Sequence, residues 1–257
     1  MSKSVSKFVW YDVMTTDVDA AEEFYSKVVG WQTQDSGMPD RRYTLLKDGE
    51  RMVGGIMPIP GDAAAAGAQP CWMGYIGVAD VDAKARELTA AGGTVHRPPT
   101  DIPGIGRFAV VSDPHGAGFI IFQPSGDQQP EPVAFMQPKS IGWHELHAGD
   151  GKKDFAFYKK LFGWTENEAF DMGPFVYQTF ATGGDQASGG IMTKMESDPR
   201  PHWNYYISVA DLDAAVGRIG DNGGTVLADP MQVPGGAWIC PARDPQGAHF
   251  ALIGMRS

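Results

Sequence analysis

Two kinds of hydrophobic pattern alternate along the chain. The first is helical: after Asp17, apolar residues recur every three or four positions as far as Val28, and Gly30 follows. This spacing predicts an amphipathic helix that Asp17 caps at its start and Gly30 ends in a left-handed conformation. The same pattern predicts a second helix over about residues 80–91, again followed by a glycine, Gly92.

The second pattern is β-like. Short runs of β-branched and aromatic residues, bounded by Gly, Pro and Asp, predict strands at 43–46, 72–78, 107–111 and 119–122. Each half of the chain therefore shows a strand, a helix and further strands, twice over. We expect an α+β fold of four βαβββ modules. Residues 60–70 and 193–201 differ between the halves and are predicted as connections, with a lid as the alternative.

An internal repeat organises the whole chain. Residues 72–82 match residues 203–213 at seven of eleven positions, an offset of 131 residues. Four prolines lie between Pro124 and Ser140, which is typical of a linker. The repeat predicts two tandem domains, at 1–125 and 140–257, joined by a Pro-rich linker at 126–139.

Six motifs of the first half have counterparts in the second: Thr16-Asp17, Phe24-Tyr25, Gly30-Trp31, Val78-Ala-Asp80, Gly92-Gly93 and Asp113-Pro-x-Gly116. These motifs resemble those of the vicinal oxygen chelate superfamily, which includes glyoxalases, bleomycin-resistance proteins and ring-cleaving dioxygenases. The resemblance implies two glyoxalase-like domains, each with a mixed sheet curled into a cup. In typical members that cup holds one divalent metal.

The resemblance also implies where metal ligands would stand. Those positions hold Trp10, Gly54, Gly55, Met73 and Ile120 in the first half, and Trp143, Gly189, Gly190, Asn204 and Ala251 in the second. Zinc, calcium and non-haem iron need several imidazole, thiolate or oxygen ligands, and this set holds no His or Glu. We therefore expect no cofactor at the family positions, and a displaced metal site stays an alternative.

The second half is richer in polar chemistry than the first. Alternation along strands predicts that one face collects Trp143, Glu145, His147, His202, Asn204 and His249. We expect Glu145 and His147 to be catalytic, one of them as a general base, and the other four to bind ligand. Two alternatives stay open: a displaced metal site on Glu145, His147, His202 and His249, or side chains at strand ends that face solvent.

The corresponding face of the first half is largely apolar, since Met14 and Met73 lie on it. Trp10 and Asp12 are its candidate ligand-binding residues. Trp10 either stacks on a flat ligand or fills the core, and burial statistics favour the core.

The net charge of the chain restricts the kinds of partner that we expect. The 257 residues carry 21 basic and 31 acidic side chains, a formal net charge of −10. An acidic surface disfavours nucleic acid and anionic membranes, so we expect a small-molecule ligand, and a homodimer stays open. No apolar run suits a signal peptide or a membrane span, and Cys71 and Cys240 suggest no disulfide framework. We expect a cytoplasmic protein.

Three functions remain from the sequence. The first is a glyoxalase-like protein that binds or transforms a small metabolite without the usual metal. The second is a sequestering protein of the bleomycin-resistance kind. The third is a lyase or dioxygenase with displaced metal ligands in the second half. Whether the protein is an enzyme is left open; if so, a glyoxalase-like lyase is expected.

Overall fold

The computed structural model of the protein describes residues 6–39, 41–126, 134 and 136–257. The predicted linker at 126–139 lies largely outside these residues. Among the described residues, no helix is both long and apolar enough to cross a membrane.

Each half contains the predicted βαβββ module twice. The first half consists of β1 (Phe8–Thr15), α1 (Val18–Val28), β2 (Gln32–Asp35), β3 (Thr44–Asp48), β4 (Arg51–Pro58), α2 (Gly61–Ala65), β5 (Cys71–Gly77), α3 (Val81–Ala90), β6 (Thr94–Ile102), β7 (Gly106–Ser112) and β8 (Gly118–Pro124). The second half consists of β9 (Ile141–Ala148), α4 (Gly151–Phe162), β10 (Thr165–Asp171), β11 (Val176–Ala181), β12 (Gly189–Thr193), β13 (His202–Ser208), α5 (Leu212–Asp221), β14 (Thr225–Val226), β15 (Met231–Gln232), β16 (Trp238–Arg243) and β17 (His249–Gly254). Two elements fall outside the modules: α2, and β15, which pairs with β16 beside β14.

The strands form one mixed sheet in each half. The first sheet has the order β2-β3-β4-β1-β5-β8-β7-β6, and the second has β10-β11-β12-β9-β13-β17-β16-β14. In each module the first and last strands run parallel, as in the pairs β1–β4 and β9–β12, and the remaining described ladders are antiparallel. Neither sheet closes into a barrel within the described residues, and the α+β prediction is confirmed.

The same aspartate cap begins the main helix of every module. The side chains of Asp17, Asp80, Asp150 and Asp211 each accept a hydrogen bond from the backbone N–H three residues on. A carboxylate in this position satisfies an amide that the helix itself leaves without a partner. Gly30 follows α1 with the left-handed φ of +84° that the sequence predicted, and Gly92 follows α3 with a φ of +93°.

The contacts group the described residues into two compact units that each draw on both halves. Unit 1 comprises residues 6–10, 74–126 and 143–203, and unit 2 comprises 11–39, 41–73, 134, 136–142 and 204–257.

A buried Trp–Tyr–Asp network recurs in both units. In unit 2, Trp72 Nε1 donates to Tyr25 Oη at 2.8 Å, and that hydroxyl donates to Asp244 Oδ2 at 3.0 Å. In unit 1, Trp203 Nε1 donates to Tyr158 Oη at 3.1 Å, and Tyr158 donates to Asp113 Oδ2 at 3.2 Å. These six residues belong to the repeated motifs. Their recurrence has a structural reason, because each buried tyrosine hydroxyl needs both a donor and an acceptor as partners.

Candidate functional site

Strand β9 sorts its side chains by face. His144, Leu146 and Ala148 are buried, whereas Trp143, Glu145 and His147 are only partly buried. Alternate residues of a strand point to opposite sides of the sheet. Trp143, Glu145 and His147 therefore project together.

A continuous hydrogen-bonded chain joins these three side chains in unit 1. Trp143 Nε1 donates to Tyr177 Oη at 2.9 Å, and Tyr177 Oη donates to Glu145 Oε2 at 2.8 Å. His147 Nε2 lies 3.0 Å from Glu145 Oε1, and His147 Nδ1 lies 3.0 Å from Asp198 Oδ2. We call Trp143, Glu145, His147, Tyr177 and Asp198 the β9 cluster.

His202 completes this arrangement from β13. Its ring stacks on the ring of His147, with centroids 4.5 Å apart and planes 24° apart. Its Nδ1 lies 3.2 Å from the carbonyl oxygen of Arg200. The structure thus brings together four residues singled out from the sequence: Trp143, Glu145, His147 and His202.

Two members of the β9 cluster were missed from the sequence. Tyr177 is the second residue of β11, and its counterpart in the repeat is Tyr43, so the pair of tyrosines was an available signal. Asp198 lies in the connection between β12 and β13, which has no close counterpart in the first half. Nothing in its local sequence distinguishes it from neighbouring loop carboxylates.

A glycine makes room for the tyrosine. Gly190 pairs with Glu145 in the parallel ladder of β12 and β9. A Cβ at Gly190 would lie 2.2 Å from Tyr177 Cζ, far inside van der Waals contact. The repeated Gly-Gly-Ile-Met sequence therefore lets the phenol reach Glu145.

The pKa shifts in the β9 cluster follow from burial and charge. Burial alone would lower the pKa of His147, but the hydrogen bonds and charges of Glu145 and Asp198 outweigh it and raise that pKa above its ordinary value. Burial and the positive charge of His147 lower the pKa of His202. Burial and the charge of Glu145 raise the pKa of Tyr177 well above 10. In the stacked pair, a proton is therefore held more readily by His147 than by His202, and Tyr177 keeps its proton near neutral pH.

The first half keeps part of this arrangement. Tyr43 Oη donates to Asp12 Oδ1 at 2.6 Å, and Asp12 is only 2% exposed. A Cβ at Gly55 would lie 2.2 Å from Tyr43 Oη, so Gly55 makes room for Tyr43 as Gly190 makes room for Tyr177. Met14 lies two residues after Asp12, at the position that His147 holds in the second half. Trp10 lies two residues before Asp12 and is partly buried. The carboxylate–phenol pair is shared, and the histidine is not.

Asn204 and His249 belong to unit 2. Asn204 is 8% exposed and lies two residues after His202 on β13; within the described chain its Oδ1 has no hydrogen-bond partner. His249 is exposed at the start of β17, where its Nε2 accepts a hydrogen bond from Arg243 Nε at 2.7 Å. Their expected part in ligand binding stays a prediction.

His144 lies on the opposite face from the β9 cluster. Its ring stacks on Phe8, with centroids 4.1 Å apart and planes 5° apart, and its Nδ1 lies 2.7 Å from the Ser188 carbonyl oxygen. Burial lowers its pKa to about 4. His144 is therefore a neutral core residue at physiological pH.

The residues present do not fit the family's metal. Tryptophan, glycine, methionine, isoleucine and alanine at the implied positions supply no side-chain ligand of the required kind, and Asn204 alone carries an amide oxygen. Within the described part of the chain, no three His, Cys, Asp or Glu side chains are grouped so that they could hold a metal ion. In the β9 cluster, both ring nitrogens of His147 already face carboxylates.

Two surface cavities lie away from this chemistry. One, of about 250 Å³ in unit 2, is lined by Glu22, Thr33, Gln34, Asp35, Arg42 and Thr44. The other, of about 470 Å³ in unit 1, is lined by residues of 101–107 and 123–126. Neither includes a residue of the β9 cluster. We place the candidate site by its converging polar groups.

Comparison with known proteins gives the family. The sequence profile of the Glyoxalase/Bleomycin resistance protein/Dioxygenase superfamily matches residues 7–121 and 140–252, and this chain belongs to that superfamily. The family resemblance and the two tandem glyoxalase-like domains are therefore confirmed.

Relatives align over nearly the whole chain. A Mycobacterium tuberculosis protein named "Putative glyoxylase CFP32" is 30% identical over 246 residues, which are 95% of this chain and 93% of that protein. The "Anthracycline biosynthesis protein DnrV" of Streptomyces peucetius is 28% identical over 258 residues, 96% of this chain and 92% of that protein.

Solved structures share the fold at low sequence identity. A Mn(II)-bound glyoxalase from Novosphingobium aromaticivorans has a TM-score of 0.65 and 17% identity, covering 99% of this chain and 83% of that one. The 2,2',3-trihydroxybiphenyl 1,2-dioxygenase of Sphingomonas wittichii has a TM-score of 0.66 and 13% identity, covering 98% and 91%. At these identities the likeness concerns the fold alone.

Proposed function

We propose that the protein is a glyoxalase-like lyase that binds a small carbonyl metabolite at the β9 cluster and moves a proton on it without a metal. The observation that carries this proposal is the Glu145 carboxylate. It is held at Oε1 by His147 and at Oε2 by Tyr177, and its side chain is 12% exposed. A partly buried carboxylate fixed by two donors is a positioned general base.

The proposed reaction is an isomerisation of an α-hydroxycarbonyl-type adduct, such as that of a ketoaldehyde with a thiol. Glu145 takes the proton from the carbon that bears the hydroxyl group, and the electron pair moves to the neighbouring carbonyl oxygen to give an enediolate. The hydroxyl proton moves from the oxygen of the first carbon to that of the second, and the same carboxyl group returns its proton to the second carbon as the first becomes the carbonyl. General-base catalysis of this kind contributes about 10²–10⁴-fold to a rate.

The remaining residues have supporting roles in this scheme. The enediolate oxygens need hydrogen-bond donors, and Trp143 Nε1, Tyr177 Oη and the His147 imidazolium are the donors beside Glu145. The high pKa of Tyr177 keeps it a donor throughout the reaction. His202, whose ring stacks on His147, is the expected contact to the rest of the ligand.

The test is turnover by chelator-treated protein, with bound metal measured by inductively coupled plasma mass spectrometry. We expect the methylglyoxal–thiol adduct to be isomerised in D₂O, with metal far below one equivalent, and the product to be followed by NMR. Glu145→Gln should lower kcat by about 100-fold or more. The matched control is Glu168→Gln on β10, an exposed carboxylate of the same unit, which should keep full activity.

Either of two results would overturn this proposal: activity that requires a restored metal ion, or equal activity of Glu145→Gln and the wild type.

The aromatic character of the β9 cluster favours a second candidate function, the sequestration of a flat cationic molecule. The β9 cluster holds the aromatic side chains of Trp143 and Tyr177 beside the stacked His147–His202 pair, and the net charge of −10 attracts cations. The likeness to an anthracycline biosynthesis protein supports an aromatic ligand of that type. This function predicts tight binding of an anthracycline without turnover, and it predicts that Trp143→Ala abolishes the binding.

A further inference from the structure

The connection between β12 and β13 delivers a carboxylate to the β9 cluster. Lys194 N donates to the Ala148 carbonyl at 2.8 Å, which fixes the start of this connection beside the end of β9. Asp198 N then donates to the Met195 carbonyl at 3.1 Å, and Met195 N donates to Asp198 Oδ2 at 3.3 Å. Lys194 Nζ donates to the Asp198 carbonyl oxygen at 2.7 Å. These bonds form a compact turn that fixes the direction of the Asp198 side chain.

That direction is toward His147. Asp198 Oδ2 lies 3.0 Å from His147 Nδ1, on the opposite side of the ring from Glu145. An imidazole with a carboxylate at each nitrogen satisfies both only when both nitrogens carry protons. The side chains of His147 and Asp198 are 16% and 25% exposed, so the pair is shielded from much of the solvent screening.

Comparison of the two halves supports a link between Asp198 and His147. The first half has Met14 in place of His147 and a different connection after β4, in which α2 begins at Gly61. There the side chain of Asp62 accepts a hydrogen bond from Ala63 N in that short helix. The first half therefore lacks both the histidine and a loop like the one that carries Asp198. The carboxylate–phenol pair, in contrast, is present in both halves.

We propose that Asp198 is a positioning residue of the site: it fixes the His147 ring as a doubly protonated imidazolium whose Nε2–H is directed at Glu145. Asp198 acts through His147 and needs no contact with the ligand. Its part in catalysis rests on the proposed function, whereas its hold on His147 is a property of the ligand-free protein.

The groups around His147 decide its protonation. Glu145 faces it from the same strand, Asp198 from the β12–β13 connection, and His202 from β13. The ammonium group of Lys194 lies at the Asp198 carbonyl. Burial alone would raise the pKa of Asp198, but the hydrogen bond and charge of His147, with the charge of His202 and the Met195 N–H, lower it below its ordinary value.

The experiment is an NMR titration of the His147 ring in ligand-free protein. We compare wild type, Asp198→Asn and Asp198→Glu, with Glu196→Gln as the matched control, because Glu196 is an exposed carboxylate of the same connection. Asp198→Asn should lower the proton affinity of His147 by about 10-fold, which is one pKa unit. Asp198→Glu should recover part of that loss, and Glu196→Gln should leave the titration nearly unchanged.

Two outcomes would overturn the positioning role. One is a His147 titration that is the same in Asp198→Asn and wild type. The other is an equal decrease in Asp198→Asn and Glu196→Gln, which would mean a general effect of loop charge. Because the titration needs no substrate, it separates failure of this inference from failure of the proposed lyase activity. If both hold, Asp198→Asn should also lower kcat while leaving KM nearly unchanged.

Discussion

Tyr158→Phe tests whether the repeated Trp–Tyr–Asp network holds unit 1 together. The substitution removes only the hydroxyl group of a side chain that is fully buried. That hydroxyl accepts from Trp203 Nε1 at 3.1 Å and donates to Asp113 Oδ2 at 3.2 Å. Both partners are buried as well, at 6% and 1% exposure, so water does not readily replace the lost bonds.

The expected cost follows from the two groups left without this partner. A buried donor or acceptor that loses its hydrogen bond costs about 1–3 kcal/mol. Asp113 keeps the bonds that its Oδ1 accepts from His115 N and Ala117 N, so the loss there is partial. We therefore expect Tyr158→Phe to lower the free energy of unfolding by about 2–4 kcal/mol.

The assay is urea unfolding followed by tryptophan fluorescence and circular dichroism. Lys159→Gln is the control on the same helix, because its bond to Glu166 joins two exposed side chains and should contribute less than about 1 kcal/mol. A Tyr158→Phe protein as stable as Lys159→Gln would refute the reasoning. The carboxyl pKa of Asp113, already raised by burial, should rise further in Tyr158→Phe because the phenol bond that lowers it is gone.

Two further predictions concern β9 and its neighbour. The pKa of His144 is lowered to about 4, so its contribution to stability is present above pH 6.5 and is lost as pH falls toward 4. The wild type should therefore lose about 3 kcal/mol more than His144→Phe over that range, measured by urea unfolding at each pH; parallel losses would show that His144 is not the group involved. Gly190→Ala should displace Tyr177 and abolish ligand binding, because a Cβ there would lie 2.2 Å from Tyr177 Cζ. Gly217→Ala in α5, where a Cβ meets no neighbour within 4 Å, should bind normally, and a Gly190→Ala protein that also binds normally would contradict the proposed geometry.

The local sequence pattern was sufficient to predict the βαβββ modules of this protein. Helix periodicity, aspartate caps and left-handed glycines act within a few residues, so the limits of α1 and α3 follow closely from the sequence. Helix α2 was not foreseen, because residues 60–70 offer small residues without an apolar stripe. The split of the outer strand of the last module into β14 and β15 was also not foreseen.

The candidate site, like the fold, was predicted from the sequence only in part. Strand alternation was enough to place Trp143, Glu145 and His147 on one face, because side-chain direction along a strand is a local property. Tyr177 and Asp198 reach Glu145 and His147 from 32 and 51 residues away in sequence. Which distant strand and which loop meet β9 depends on ladder register and on the turn that fixes Asp198.

The repeat, most of the helices and strands, the family resemblance and the polar face of the second half all follow from the sequence, since each depends on short-range periodicity or on matching motifs. Which of these side chains are hydrogen-bonded to each other depends instead on the tertiary structure. It showed that Glu145 lies between a phenol and an imidazole, that His147 lies between two carboxylates, and that Tyr25 bonds with Asp244, 219 residues away. Hydrogen bonds require atoms within about 3 Å, and chain packing, not local pattern, brings such distant residues to that distance.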